Sequence, residues 1–398
     1  MSGPKIPGLE GARSVRDLRL DVLRGLALIS IFINHTPGTI YENITTRNFG
    51  FSDAAEGFVL MSGIAAGLAY GKFFAGPGPY WPGVGKMWRR VWALYQVHIV
   101  TTVIAIALSA GFAYWGGYFP LMQRNAVTAL HKFPLQALVG IPLLSHQLGY
   151  ANILPLYAAL LFAGPVMLWC AHRAPRLLLV VSVLVYGVAA QWWINIPSFP
   201  NKGGWFFNPL TWQLLFIIGL LTGLAIKRGE RLVPVRRWLV AVCLAFMLVS
   251  ALVALNLPVA GKHSQEWFGR GMWHVQEALH TPWFVLGFDK TYLTMPRLLH
   301  VLALAYVLSC WPWLRRACAS RFAAPFALLG RNGLAVFGLG VVLCYTCNGI
   351  KAISPPSFAL DTALIGGGIA LMLAFAWSKE AWRRAEARAE GRPVARPE

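Results

Sequence analysis

The sequence predicts an all-α fold: a polytopic helical membrane protein of about ten transmembrane helices, with both termini cytoplasmic. Three observations carry this. The 398 residues are 57% hydrophobic and only 13% charged, against about 25% charged in ordinary soluble domains. Ten stretches approach the roughly 20 mostly apolar residues that cross a bilayer core. Finally, 24 of the 35 Lys and Arg fall before the first stretch, in alternate loops and after the last, while the opposite loops hold nine. That asymmetry marks the cytoplasmic side of a membrane protein. The formal charge of +20 is therefore read as topology, and no nucleic-acid partner is expected.

The spans are expected at 20–40, 54–74, 90–113, 150–170, 177–195, 209–226, 238–257, 297–314, 333–350 and 359–377. Residues 1–19 then form a cytoplasmic segment, 20–378 a single transmembrane domain and 379–398 a cytoplasmic tail. The first apolar run starts after some 20 polar residues and lacks a small-residue cleavage site, so span 1 is expected to stay attached.

Span 1 contains "DVLRGLALISIFINH", with ionisable residues at both ends. On a helix, Arg24, Leu28, Ile31 and His35 share one face about 16 Å long, and Asp21 lies one turn before Arg24. Such groups are costly in a bilayer and normally face protein or a wet cavity. For Asp21 and Arg24, snorkelling to the surface is the competing reading; for His35, it is a satisfied structural histidine. Span 2, "FSDAAEGFVLMSGIAAGLAYG", places Glu56, Gly63 and Gly67 on one face. Its G-x-x-x-G steps allow close approach of another helix. If span 2 lies against span 1, Glu56 meets His35, and a carboxylate beside an imidazole makes a general base. Ser62 reads better as a small residue at a crossing than as a nucleophile.

Span 3 opens with "WRRVWALYQVHIV", bringing Arg89 and Arg90 at the inner surface and His98 further in. Arginines there either bind phosphate or simply mark the inner face. The segment 114–149, broken by Pro134 and Pro142, suggests short helices at the outer surface. Span 6 opens with Asn208, Trp212 and Gln213, and span 9 with Arg331 and Asn332. Tryptophans 115, 192, 193, 205, 267, 273 and 283 gather on the outer side. They form either an interfacial belt or faces for stacking sugar rings. The tail "SKEAWRRAEARAEGRP" reads as a short amphipathic helix that frays. The six cysteines lie in or beside spans and are expected as buried thiols. There is no phosphate-binding loop, no H-E-x-x-H, no nucleophile elbow and no metal-ligand cluster.

Taken together, "RLDVLRGLALISIFINH", "FGFSDAAEGFVLMSGIAAGLAYG" and "RRVWALYQVHI" resemble the OpgC family, within the wider acyltransferase-3 group of membrane acyltransferases. "NILPLYAALLFAGP", "FNPLTWQLLFIIGLLTG" and "LGRNGLAVFGLG" extend the likeness over most of the chain, with Asn152 where the pattern has an aspartate. The resemblance implies a bacterial inner-membrane enzyme with no resident cofactor. It would transfer an acyl group, succinyl first, from cytoplasmic acyl-CoA to hydroxyls of periplasmic glucan. It implies His35 as catalytic base oriented by Glu56. The donor side would hold Asp21, Arg24, Arg89, Arg90, His98, Arg331 and Asn332; the acceptor side would hold Asp53, Trp205, Asn208, Trp212 and Gln213. The competing reading is a proton-coupled transporter or flippase with a His35–Glu56 relay. Oligomeric state stays open.

Overall fold

The computed structural model describes residues 17–123, 127–259 and 262–391. Its helices are α1 (Leu18–Asn34), α2 (Ala54–Tyr70), α3 (Trp81–Trp115), α4 (Thr128–Lys132), α5 (Pro134–Gly140), α6 (Ile153–Arg173), α7 (Pro175–Gln191) and α8 (Pro209–Lys227). Then follow α9 (Arg237–Ala254), α10 (Ser264–Leu279), α11 (Trp283–Leu286), α12 (Met295–Cys310), α13 (Pro312–Cys318), α14 (Ala324–Arg331), α15 (Gly333–Ile353) and α16 (Phe358–Ala389). A two-residue hairpin pairs Pro258–Val259 with Lys262–His263. Helices α3, α5, α7, α8, α12, α13 and α14 begin with a proline in the first turn, where a missing N–H leaves no bond unmade.

Among the described residues, seven helices are long and apolar enough to cross a membrane: α2, α3, α6, α8, α9, α15 and α16. Three of the ten expected spans take another form. Span 8 is a pair, α12 and α13, bent by 83°, because Pro312 cannot continue the helix. Span 5 is the 17-residue α7. Span 1 is the 17-residue α1, which ends at Asn34 and not at 40; Pro37 and Gly38, the latter at φ 81°, turn the chain away. Span 3 instead begins earlier, at Trp81. The segment 114–149 does break into short helices, α4 and α5 among them. The expected separate tail helix is continuous with span 10, since nothing in "WSKEAWRRAEARA" breaks α16 before Ala389.

Packing closes a ring of five helices in the order α1–α2–α6–α3–α15, and α8 with α7 packs outside α2 and α6. The tightest joint is α2 on α8. A Cβ on Gly63 or Gly67 would strike the Phe216 or Leu220 carbonyl, and one on Gly219 or Gly223 would strike the Leu60 or Ile64 carbonyl. The glycine steps of span 2 thus find a matching pair on α8, and the two backbones touch. Helix α1 makes its own close approach to α14, where Gly25 meets Phe326 and Gly330 meets Asp21. All six cysteines are free thiols.

Candidate functional site

The start of α2 is built by Asp53 and Glu56 as a capping box. The Asp53 carboxylate accepts from Ala55 N at 2.8 Å, and Glu56 Oε2 accepts from Asp53 N at 3.0 Å. These bonds satisfy N–H groups that a helix start leaves unpaired. Two cations from elsewhere complete the cluster. Arg297, on the first turn of α12, donates to Glu56 Oε1 from Nε at 2.8 Å and places Nη2 at 2.5 Å. Lys290, in the loop before α12, lies 2.5 Å from Asp53 Oδ2, with Arg297 at 3.6 Å. Glu56 is wholly buried. Burial alone would raise the Asp53 carboxyl, but Lys290 and Arg297 outweigh it and hold it well below the usual carboxylate range. Two acids and two bases make the quartet neutral.

The expected Glu56–His35 contact is not formed: both Glu56 oxygens are taken, by Arg297 and by the Asp53 N–H. The reason lies in the helix face. Glu56 shares the face of Gly63 and Gly67, and that face is committed to α8. His35 lies elsewhere, at the C-cap of α1. Its ring packs against Tyr150, tilted by 31° with centroids 4.4 Å apart, and its Nδ1 is buried without a hydrogen bond. Asn348 of α15 holds the His35 carbonyl at 2.8 Å.

One hollow reaches this histidine, and a second is walled by the Tyr150 that packs against it. A narrow apolar cleft of only about 10 Å³ runs beside Leu28, Ile31, Phe32 and His35, walled by Phe337, Val341 and Cys344 of α15 and Met372 of α16. The Leu28–Ile31–His35 stripe expected from helical spacing therefore lines a cleft. On the far side of Tyr150 lies a cavity of about 280 Å³ with Pro37, Ser109, Phe112, Leu121, Tyr345 and Asn348 in its walls.

The other end of α1 gathers a second polar group. Arg24 reaches Met61 O at 3.5 Å and Asp21 at 3.9 Å, and its side chain lies against Gly333. Arg331, at the end of α14, is 3.6 Å from Glu380 of α16. Asn332, in the break between α14 and α15, is buried and accepts from Arg383. Asp21, Arg24, Arg331 and Asn332 are thus brought together. Arg89 and Arg90 sit on α3, Arg89 exposed and Arg90 half-buried beside Tyr70. His98 is separated from them, buried inside the ring near Ala151, the neighbour of Tyr150.

A family model described as OpgC protein matches residues 16–384, nearly the whole chain. The chain belongs to the OpgC family. Comparison with curated proteins and with solved structures found no match. Membership of the OpgC family, together with the apolar helices, points to a membrane-bound acyltransferase with a role in glucan modification.

In this OpgC-family chain the polar residues expected on the acceptor side act mainly as braces. Asn208 caps α8 through Leu210 N and binds Ile194 O at 2.7 Å. Gln213 ties α8 to α7 through Ser182. Trp212 donates to the carbonyls of Lys290 and Thr291 at 3.2 and 3.1 Å, fixing the loop that carries Lys290. Trp205 is buried, whereas tryptophans 115, 192, 193, 267 and 273 are exposed, as an interfacial belt requires. Sequence reasoning missed Lys290, Arg297, Tyr150 and Asn348. For the two cations a signal existed: both belong to the nine on the cation-poor side of the chain. No group of three or more His, Cys, Asp or Glu that could hold a metal occurs among the described residues.

Proposed function

We propose that the protein is an O-acyltransferase of the bacterial inner membrane. It moves a succinyl or other short acyl group from cytoplasmic acyl-CoA to hydroxyls of periplasmic glucan, with His35 as general base. The observation that carries this reading is the position of His35 at the apolar cleft, against the Tyr150 ring that walls the neutral cavity, its Nδ1 buried and unbonded. A neutral imidazole there takes the proton of an acceptor hydroxyl as the oxygen attacks the thioester carbonyl. The new ester C–O bond forms, the C–S bond breaks, and the imidazolium returns its proton to the leaving thiolate. The cleft's lining runs about 10 Å along α1 from Leu28 to His35, and at about 10 Å³ it has to widen to admit the acyl arm.

Arg24 and Arg331 receive the phosphates of the donor, with Arg89 and Arg90 on the approach. Each of the first two now stands beside a carboxylate, Asp21 or Glu380, which phosphate oxygens replace in the bidentate geometry arginine favours. The charge asymmetry supports both termini in the cytoplasm and ten crossings. In that count α1 and α7 are short spans of 17 residues, about 25 Å each. A proton-coupled transporter needs a His35–Glu56 relay, and Arg297 occupies Glu56.

The test is mass analysis of periplasmic glucan from cells carrying the wild type, His35→Ala or no protein. Acylated glucan only with the wild type, while His35→Ala still inserts normally, is the expected result, and the added mass names the acyl group. Normal glucan acylation by His35→Ala overturns the proposal.

A further inference from the structure

We propose that the cavity beside His35 is the subsite for one sugar ring of the acceptor, and that Tyr150 is the residue that positions both that ring and the histidine. The inference rests on the acyltransferase reading and adds the place where the acceptor sits.

Size is the first argument. At about 280 Å³ the cavity falls just below the roughly 300–1,000 Å³ of drug-sized ligand sites. It suits a single ring and not an extended chain. Its chemistry is the second. None of its lining residues is charged, so the donor's phosphates have no partner there. It offers instead aromatic faces from Phe112, Tyr150 and Tyr345, with Ser109 and Asn348 as polar groups. A sugar presents the complement, C–H faces that stack on rings and hydroxyl edges that bond to amides and hydroxyls.

Backbone conformation is the third argument, and it is independent of the cavity. Tyr150 holds φ at 74°, a left-handed conformation that a bulky residue adopts only when its surroundings impose it. The surroundings are visible. Tyr345 OH donates to Gly149 O at 2.9 Å, and its ring meets Tyr150 edge-on at 5.4 Å. The result is a tyrosine ring packed at a tilt against His35 that also walls the cavity. Asn348, from the same helix as Tyr345, holds the His35 carbonyl. One stretch of α15 therefore sets the positions of the base and of the cavity wall together, which is what delivery of a hydroxyl to His35 requires.

The experiment uses the purified full-length protein in lipid nanodiscs and an unsubstituted gluco-oligosaccharide, with binding followed by calorimetry in the absence of any donor. Ser109→Trp fills the cavity, and the Ser109 hydroxyl bonds only its own helix, at Ala105 O. The oligosaccharide Kd is expected to rise tenfold or more. Leu121→Trp, from a short loop helix, repeats the measurement should Ser109→Trp fail to fold. Tyr150→Leu is expected to weaken binding and to lower kcat for transfer, and Tyr150→Phe, which keeps the ring face, to recover most of both. The KM for acyl-CoA stays unchanged in all four variants. An unchanged Kd in the Trp variants, or no oligosaccharide binding by the wild type, overturns the subsite. Wild-type binding that the Trp variants abolish, without acyl transfer from any acyl-CoA, overturns the transferase reading and leaves the subsite standing.

Discussion

Arg297→Met tests the quartet most directly. Glu56 has no exposure to solvent, and Arg297 supplies its charge-bearing partner through contacts of 2.8 and 2.5 Å. Removing one member of a buried pair leaves the other uncompensated and costs about 3–5 kcal/mol. That is roughly two to four orders of magnitude in the folding equilibrium. Glu56→Leu should cost less, because Arg297 keeps Asp53 at 3.6 Å and retains some exposure. The double variant removes both charges, so its loss should fall short of the sum of the singles by about 2 kcal/mol or more, within the range seen for groups in one network. Unfolding of the detergent-solubilised protein, followed by tryptophan fluorescence in a denaturant titration, reads all four corners of the cycle. Losses that add within about 0.5 kcal/mol, or an Arg297→Met variant as stable as the wild type, would refute the coupling.

Two further outcomes follow from the same structure. Gly63→Val drives a side chain into the Phe216 carbonyl and should cost about 1–3 kcal/mol or more. Gly57→Ala, on the same helix but facing open space, should not destabilise; equal losses at the two positions in thermal melts would count against the α2–α8 joint. The Asp53 carboxyl is held below its ordinary value of 3.8 by Lys290 and Arg297 against the opposing effect of burial. A depressed folded pKa contributes stability above the unfolded value and loses it as pH falls toward the folded one. The wild type should therefore lose stability from about pH 4 downward, and Asp53→Asn should show a shallower loss. Parallel stability–pH curves would exclude the pairing.

The apolar runs made the helices legible, because lipid requires each spanning segment to bond internally. Their ends were less so. Pro37–Gly38 and the first turn at Trp81–Pro82 set the ends of spans 1 and 3, which apolarity alone does not mark. At the site, the Arg24–Leu28–Ile31–His35 stripe was readable from spacing alone, and its last three members line the cleft. The partner of Glu56 was not, although the clue stood in the same helix. A residue on the face of Gly63 and Gly67 must go where those glycines go, and their match on α8 lies some 150 residues downstream. Adjacency in sequence pointed to α1, and long-range backbone fit pointed elsewhere. Tyr150 carried no signal at all, since its importance comes from a backbone angle imposed by Tyr345 and Gly149.

The quartet also bears on how the chain is made. Lys290 reaches Asp53 across 237 positions and Arg297 reaches Glu56 across 241. During synthesis α2 therefore enters the membrane with two carboxylates whose partners do not yet exist. They stay hydrated at the surface until α12 emerges, and only then can that end of the bundle close. Closure is thus a late checkpoint in biogenesis: a chain halted before Lys290 keeps an acidic, unsealed helix end, open to the quality-control machinery of the membrane.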